Sequence, residues 1–316
     1  MSTQWDILGF GIVAVDDLLY VDRYPQPDTK VAVRAQRREG GGLTGTALVA
    51  AARLGARVAY GGILGEDSSP DGDELSLFTV RELEREGVDC TPILRRAGAR
   101  PCHSIVIVDR STGQRTILYS VDGVVARRPE EMTDDLIRRC RVLFVDYTAG
   151  HGALRAVQLA HGRGIEVVGD VERLTVPGAE ELMSQIDHLI VGIDLARQIT
   201  GETRPEGMVR ALSGGERACR AVTVGERGCW YLERGGEVRH VPAYRVEVVD
   251  TTGCGDVFHG AYAACIAWGQ TVAKAIRVAT ATAALKATRP GGRTGIPDWP
   301  TVERFLEERD HLGSKE

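Results

Sequence analysis

Three glycines, two aspartates and the start of a helix fall within one short segment, Val248-Val-Asp-Thr-Thr-Gly-Cys-Gly-Asp-Val-Phe-His-Gly-Ala261. Glu247, Val248 and Val249 read as the end of a strand, and the apolar, Ala-rich stretch from Val257 to Trp268 suits a buried helix. Between them, Gly253-Cys254-Gly255 can turn tightly and leave backbone N–H groups uncovered. A helix N-terminus carries about half a positive charge and attracts anions. Asp256 is then a carboxylate beside an anion site. A helix N-cap would account for that aspartate alone, but not for the paired glycines or for Asp250. A base that takes the proton of an attacking hydroxyl, next to a cradle for a transferring phosphoryl group, accounts for all of them.

Such a constellation needs rigid elements behind it. Short apolar runs at Val142–Val145, Ile165–Val168, His188–Val191 and Ala221–Val224 suit parallel strands covered on both faces. Helix candidates lie between them, among them Thr46–Leu54 and Asp73–Arg85. The alternation implies an α/β fold, a doubly wound, mostly parallel sheet flanked by helices. Ile7–Val15 reads as the first strand, with Asp16 and Asp17 at its end and their side chains on opposite faces. Two regions break the rhythm: 17–38, with its Pro-rich turn, and 104–120, which reads as a hairpin turning at Ser111-Thr-Gly113. Together they suggest a small β-sheet lid. Gly9-Phe-Gly-Ile-Val-Ala14 matches a dinucleotide fingerprint in letters, but extended chain rather than a helix follows it. No P-loop motif occurs.

Asp250-Thr-Thr-Gly-Cys-Gly-Asp256 resembles the Asp-Thr-x-Gly-Ala-Gly-Asp signature of the ribokinase-like (PfkB) carbohydrate kinases. Cys254 stands where the family usually has Ala; it is small and mostly apolar, so an anion hole at Gly253, Cys254 and Gly255 is expected to survive. The resemblance covers roughly residues 6–300. It implies a single ribokinase-like domain over 1–316, with the lid formed by about 17–38 and 104–120. It also implies ATP-dependent phosphorylation of a primary hydroxyl of a ketose, pentose or sulfosugar, with Asp256 as general base. Gly41-Gly-Leu-Thr-Gly-Thr-Ala47 opens a segment similar to the family's first signature, which contacts the sugar; this points to Gly41, Gly42 and Thr46. Thr46 replaces the usual Asn and offers fewer donors. Asp16 occupies the position that binds sugar hydroxyls. Thr223-Val-Gly-Glu-Arg-Gly228 resembles the element flanking the ATP phosphates and ribose, implicating Thr223, Gly225 and Gly228, although a plain hairpin turn fits the same letters.

Some family features are absent or altered. The Asn-x-x-Glu motif that organises magnesium through water is replaced by Gly192-Ile-Asp-Leu195, with Asp194 nearby. Mg2+ is still expected with ATP. By resemblance, carbonyls near Asp250 and Thr252 join others around Ala283–Gly295 to surround a monovalent cation such as K+. The wording of 288–298 is nearest to the sulfofructose kinase branch. Lys30 on the lid would then meet an anionic substituent, unless it is simply a solvated charge. Tyr119 and Thr148, where further sulfonate partners belong, are not cationic, so the sugar stays open. His103, His151 and His259 show no metal-ligand spacing and read as surface or helix residues.

The net charge of -5 and pI near 5.9 speak against nucleic acid as the main partner. No apolar run reaches the roughly 18 residues of a membrane span. The N-terminus lacks a secretory pattern and the seven cysteines form no C-x-x-C pair, so a cytoplasmic protein with reduced thiols is expected. A homodimer joined through the lid is expected too. Ile105, Ile107, Tyr119 and Val121 alternate as one apolar stripe that would face the cleft, and Val31 and Val33 offer another. The alternatives are a nucleoside kinase, or a sugar- or nucleotide-binding regulatory protein without turnover. Intact Asp256 favours the enzyme; the missing Asn-x-x-Glu favours the regulator.

Overall fold

The computed structural model describes residues 3–66, 73–212 and 217–313. In chain order the strands are β1 (Trp5–Phe10), β2 (Ala14–Val21), β3 (Val33–Gly41), β4 (Val58–Tyr60), β5 (Ile63–Leu64), β6 (Val88–Asp89), β7 (Leu94–Arg95), β8 (Cys102–Asp109), β9 (Arg115–Ser120), β10 (Cys140–Asp146), β11 (Glu166–Asp170), β12 (His188–Gly192), β13 (Cys219–Thr223), β14 (Cys229–Glu233) and β15 (Val238–Val241). The helices are α1 (Leu43–Arg53), α2 (Glu74–Arg85), α3 (Asp134–Ile137), α4 (Gly150–His161), α5 (Ala179–Gln185), α6 (Ile193–Thr200), α7 (Pro205–Ala211), α8 (Cys254–Ala267), α9 (Val272–Lys286) and α10 (Trp299–Gly313).

Nine strands form one sheet in the order β15-β14-β13-β12-β11-β10-β1-β4-β6. Pairing is parallel from β6 to β13, and β14 and β15 add an antiparallel edge. Every residue of β1 is buried, as a strand covered on both faces requires. Successive residues feed opposite cores. Ile7, Phe144 and Ile190 pack with Leu48, Phe258 and Tyr262 on one side. Leu8, Leu143 and Leu189 pack with Val157 and Leu182 on the other. This is the doubly wound α/β sheet expected. A separate four-stranded sheet has the order β3-β2-β8-β9, with β2 and β8 parallel and the outer pairs antiparallel.

Three local expectations fail, each because a long-range hydrogen bond or a pairing register outweighs local pattern. The apolar run Ile7–Val15 is not one strand. The Ile12 N–H donates to the Asp146 carboxylate at 2.7 Å instead of to a sheet neighbour, which ends β1 at Phe10 and leaves Asp16 and Asp17 inside β2. Glu247–Val249 is not a strand either. The Val249 and Asp250 N–H groups both donate to the Ala287 carbonyl, at 2.8 and 3.1 Å, so the end of α9 replaces a strand partner. Finally, Ile105 and Tyr119 do not share a stripe. Ile105 pairs with Leu118 and Ser104 with Tyr119, so Ile105, Ile107 and Leu118 lie on the Asp17 face while Tyr119 and Ile117 lie on the Asp16 face.

Candidate active site

α8 begins at Gly253, whose φ of 71° is a left-handed conformation that a side chain would strain. A Cβ there would also approach the Gly292 carbonyl to 2.9 Å. The helix is buried from Val257 to Ala267 and runs against α1. The crossing is close because residue 260 is Gly: a Cβ would fall 2.0 Å from the Ala47 carbonyl oxygen. This packing fixes the first turn of α8, where Asp256 is the acidic residue. Gly255 beside it faces open space, with nothing within 4 Å of a Cβ position. The Cys254 amide already donates to the Thr251 carbonyl at 3.2 Å. Among the described residues, the amides of Gly253 and Gly255 therefore stand free to line an anion site.

Asp256 is half-buried. Burial pushes its carboxyl well above the ordinary carboxylate range, the charges of Asp170 and Glu172 push the same way, and His259 and Arg293 offset them only in part. Asp250 behaves oppositely. Burial would raise it, but donors from the Thr252 hydroxyl and amide and the Gly291 amide, with the Lys286 charge, hold its carboxyl at about 2. Those bonds measure 2.6, 2.8 and 2.9 Å, and Arg115 of β9 adds an ion pair at 2.9 Å. Asp250 is thus a structural anchor of the turn that leads into Gly253. Its backbone carbonyl accepts from Lys286 Nζ at 2.9 Å.

Across this edge stands Asp16 of β2, half-buried over Gly41, where a Cβ would fall 2.3 Å from the Asp16 Oδ2. Burial raises its carboxyl, against the Ser104 hydroxyl bond and the charges of Arg293 and His103. Asp17 points to the other face and pairs with Arg38 and His103, both at 2.8 Å. Gly42 caps α1. Thr46 is 2% exposed, and its hydroxyl accepts from Arg293 Nε at 3.3 Å. Arg293 also donates to the Gly41 carbonyl at 2.8 Å, and it feels the charges of both Asp16 and Asp256. Burial lowers its guanidinium to about 10.

Several residues here were not singled out from sequence. Asp146 and Asp170 end the adjacent strands β10 and β11 and are buried. Asp146 accepts from Ile12 N–H, the Thr44 hydroxyl and Thr148. Asp170 Oδ2 has no hydrogen-bond partner among the described residues. The signal was available, since ligands of open α/β sheets bind outside the carboxyl ends of the strands. His259, expected as a surface or helix residue, is a helix residue of α8 and is buried, with its ring nitrogens 2.8 and 3.1 Å from the carbonyls of Gly255 and Ile190 and 3.4 Å from Asp170. A cavity of about 70 Å³ lined by Phe10, Gly11, Arg127 and Thr148 adjoins the same edge.

Thr223 closes β13 beside Gly192 of β12, at the carboxyl edge of the sheet. Gly225 starts a short turn and is exposed; Gly228 is buried with φ of 90°, where a Cβ would fall 2.1 Å from the Val241 carbonyl. Asp194 is exposed in the first turn of α6 and pairs with Arg197 at 3.3 Å. Lys30 lies exposed between β2 and β3. Among the described residues, no three His, Cys, Asp or Glu side chains form a preassembled metal cluster. No helix among them is long and apolar enough to cross a membrane.

The model of the pfkB family of carbohydrate kinases matches residues 6–299. The chain is 30% identical over 306 residues to the ATP-dependent ribose-1-phosphate kinase of Halopiger xanaduensis, covering 96% of this chain and 98% of that protein. A solved Agrobacterium tumefaciens protein, provisionally named a ribokinase, shares 27% identity and a TM-score of 0.88 over 98% of this chain and 99% of its own. Arabidopsis thaliana ribokinase, solved with ribose and ATP, has a TM-score of 0.78 at 20% identity over 97% and 99% of the two chains, a likeness of fold.

Proposed function

The chain belongs to the pfkB family of carbohydrate kinases, and we propose that it transfers the γ-phosphoryl group of ATP to a primary hydroxyl of a small ketose, pentose or sulfosugar. The observation that carries this reading is Asp256, a carboxyl of raised proton affinity in the first turn of α8, one residue after the unobstructed Gly255. In its ionised form Asp256 accepts the hydroxyl proton while the oxygen attacks the γ-phosphorus in line and ADP leaves. The free amides of Gly253 and Gly255 and the α8 dipole face the charge on the transferring group. Asp16 accepts sugar hydroxyls, with Gly41 and Gly42 giving close backbone approach. Thr46, buried behind them, is tied to Arg293, whose guanidinium its hydroxyl accepts from.

ATP lies along Thr223, Gly225 and Gly228 at the carboxyl edge of β13. Mg2+ bound with the nucleotide neutralises phosphate charge. The orphaned Asp170 Oδ2 and neighbouring Glu172 are the carboxylates that fit it. The four-stranded sheet acts as a lid that excludes water, with Arg115 pairing to Asp250 beside the anion turn. Its exposed Leu118, on the face away from Asp16, supports a homodimer formed through this sheet.

The test is ADP release, coupled to a spectroscopic readout, over a panel of sugars, sulfosugars and nucleosides. A sugar bearing a primary hydroxyl should stimulate release strongly. Stimulation by nucleosides alone, or by nothing, refutes the assignment.

A further inference from the structure

Lys286, the last residue of α9, is 0% exposed, and Lys30 and Lys274 are not buried. Burying an ammonium is expensive unless its surroundings replace water. The bond that Lys286 makes here goes to a neutral group: Nζ donates to the Asp250 carbonyl at 2.9 Å. The helix end grips the same residue at two further points. The Ala287 carbonyl accepts from the Asp250 N–H at 3.1 Å, and the Gly291 N–H donates to its carboxylate at 2.9 Å. Asp250 in turn holds Thr252, the residue before Gly253. Lys286 therefore sits behind the anion turn; burial lowers its ammonium, the nearby charges of Asp250 and Asp256 work to keep it protonated, and Arg115 opposes them. Its position in the last turn of α9 also places a cation at the negative end of that helix.

An ammonium on a backbone carbonyl is chemically what a bound monovalent ion would be. We propose that Lys286 Nζ is a built-in monovalent cation, which fixes the Asp250–Gly253 turn and lends positive charge to the phosphoryl site, so that turnover needs no K+. This rests on the kinase reading. Lys286 is a positioning residue, since it acts through Asp250 rather than on the substrate. Its ammonium takes the carbonyl of Asp250 that was expected to help hold a free ion.

The experiment compares the full-length protein in tetramethylammonium chloride, KCl and NH4Cl. Wild-type kcat should agree across the three within about twofold, whereas stimulation by K+ of about tenfold or more overturns the proposal. Lys286→Ala leaves room for a small cation. Its kcat should fall by about 10–100-fold in tetramethylammonium, as for a misplaced reacting group, and recover at least about tenfold with saturating K+ or NH4+. Lys286→Met fills the space without charge and should show no recovery. A Lys286→Ala protein with wild-type kcat, or one that no cation restores, refutes the role. A second readout does not depend on turnover: K+ or NH4+ should raise the melting temperature of Lys286→Ala above its value in tetramethylammonium and leave the wild type unchanged. Equal responses refute the site. If the wild type phosphorylates no acceptor, the kinase reading fails and this melting comparison alone decides the cation site. If Lys286→Ala does not fold, the wild-type comparison decides.

Discussion

Replacing Asp256 by Asn separates catalysis from stability. The amide keeps the shape of the carboxylate and its place in the first turn of α8, but cannot accept the hydroxyl proton. Loss of a general base costs about 10²–10⁴ in rate, or about 3–5 kcal/mol of barrier at 1.36 kcal/mol per decade. The stability change has the opposite sign. Burial, Asp170 and Glu172 raise the Asp256 carboxyl above its unfolded value. The folded state therefore loses stability as pH climbs from the unfolded value, about 4, to the raised folded value, and the loss is complete above it. Asn carries no charge to desolvate, so the variant should melt higher than wild type at pH 7, with the gap closing near pH 3, where both side chains are neutral. In the same window, wild-type kcat/KM should rise with pH through an apparent pKa above the usual carboxylate range, and the variant's residual rate should be flat. ADP-release kinetics and scanning calorimetry across pH measure both. Turnover within about threefold of wild type, or a variant that melts lower at pH 7, would refute the reasoning.

Asp16→Ala should weaken sugar binding by about 10–100-fold, as losing a charged acceptor costs about 1.5–3 kcal/mol, and leave ATP binding nearly unchanged; calorimetry with each ligand distinguishes this from equal weakening of both. Gly260→Ala should cost about 1–3 kcal/mol in urea unfolding, because its Cβ would fall 2.0 Å from the Ala47 carbonyl; an unchanged midpoint would contradict the tight α1–α8 crossing. Light scattering should give twice the 34.2 kDa chain mass, and Leu118→Asp should halve it. A fully active wild-type monomer rules out the lid dimer.

The turn that opens α8 was legible because its requirements are written in contiguous residues. Gly253 must adopt a left-handed conformation, Asp256 must follow within one helical turn, and the apolar Val257–Ala267 run must be buried; each is a local requirement. The alternation of short apolar runs with helical segments likewise fixed a doubly wound sheet before any contact was known. Faces and partners were another matter. A strand's two-residue period says that Asp16 and Asp17 diverge, but only the β2–β8 and β8–β9 registers together decide that Ile105 joins Asp17 and Tyr119 joins Asp16. Asp146 ends β1 by accepting from Ile12, 134 residues away in sequence, and no local pattern announces that bond. Arg293 reaches Thr46 over 247 residues and Lys286 reaches Asp250 over 36. Buried charges of this kind are stable only where distant segments supply their partners, so the sequence names the residue types while the tertiary structure alone decides which of them meet.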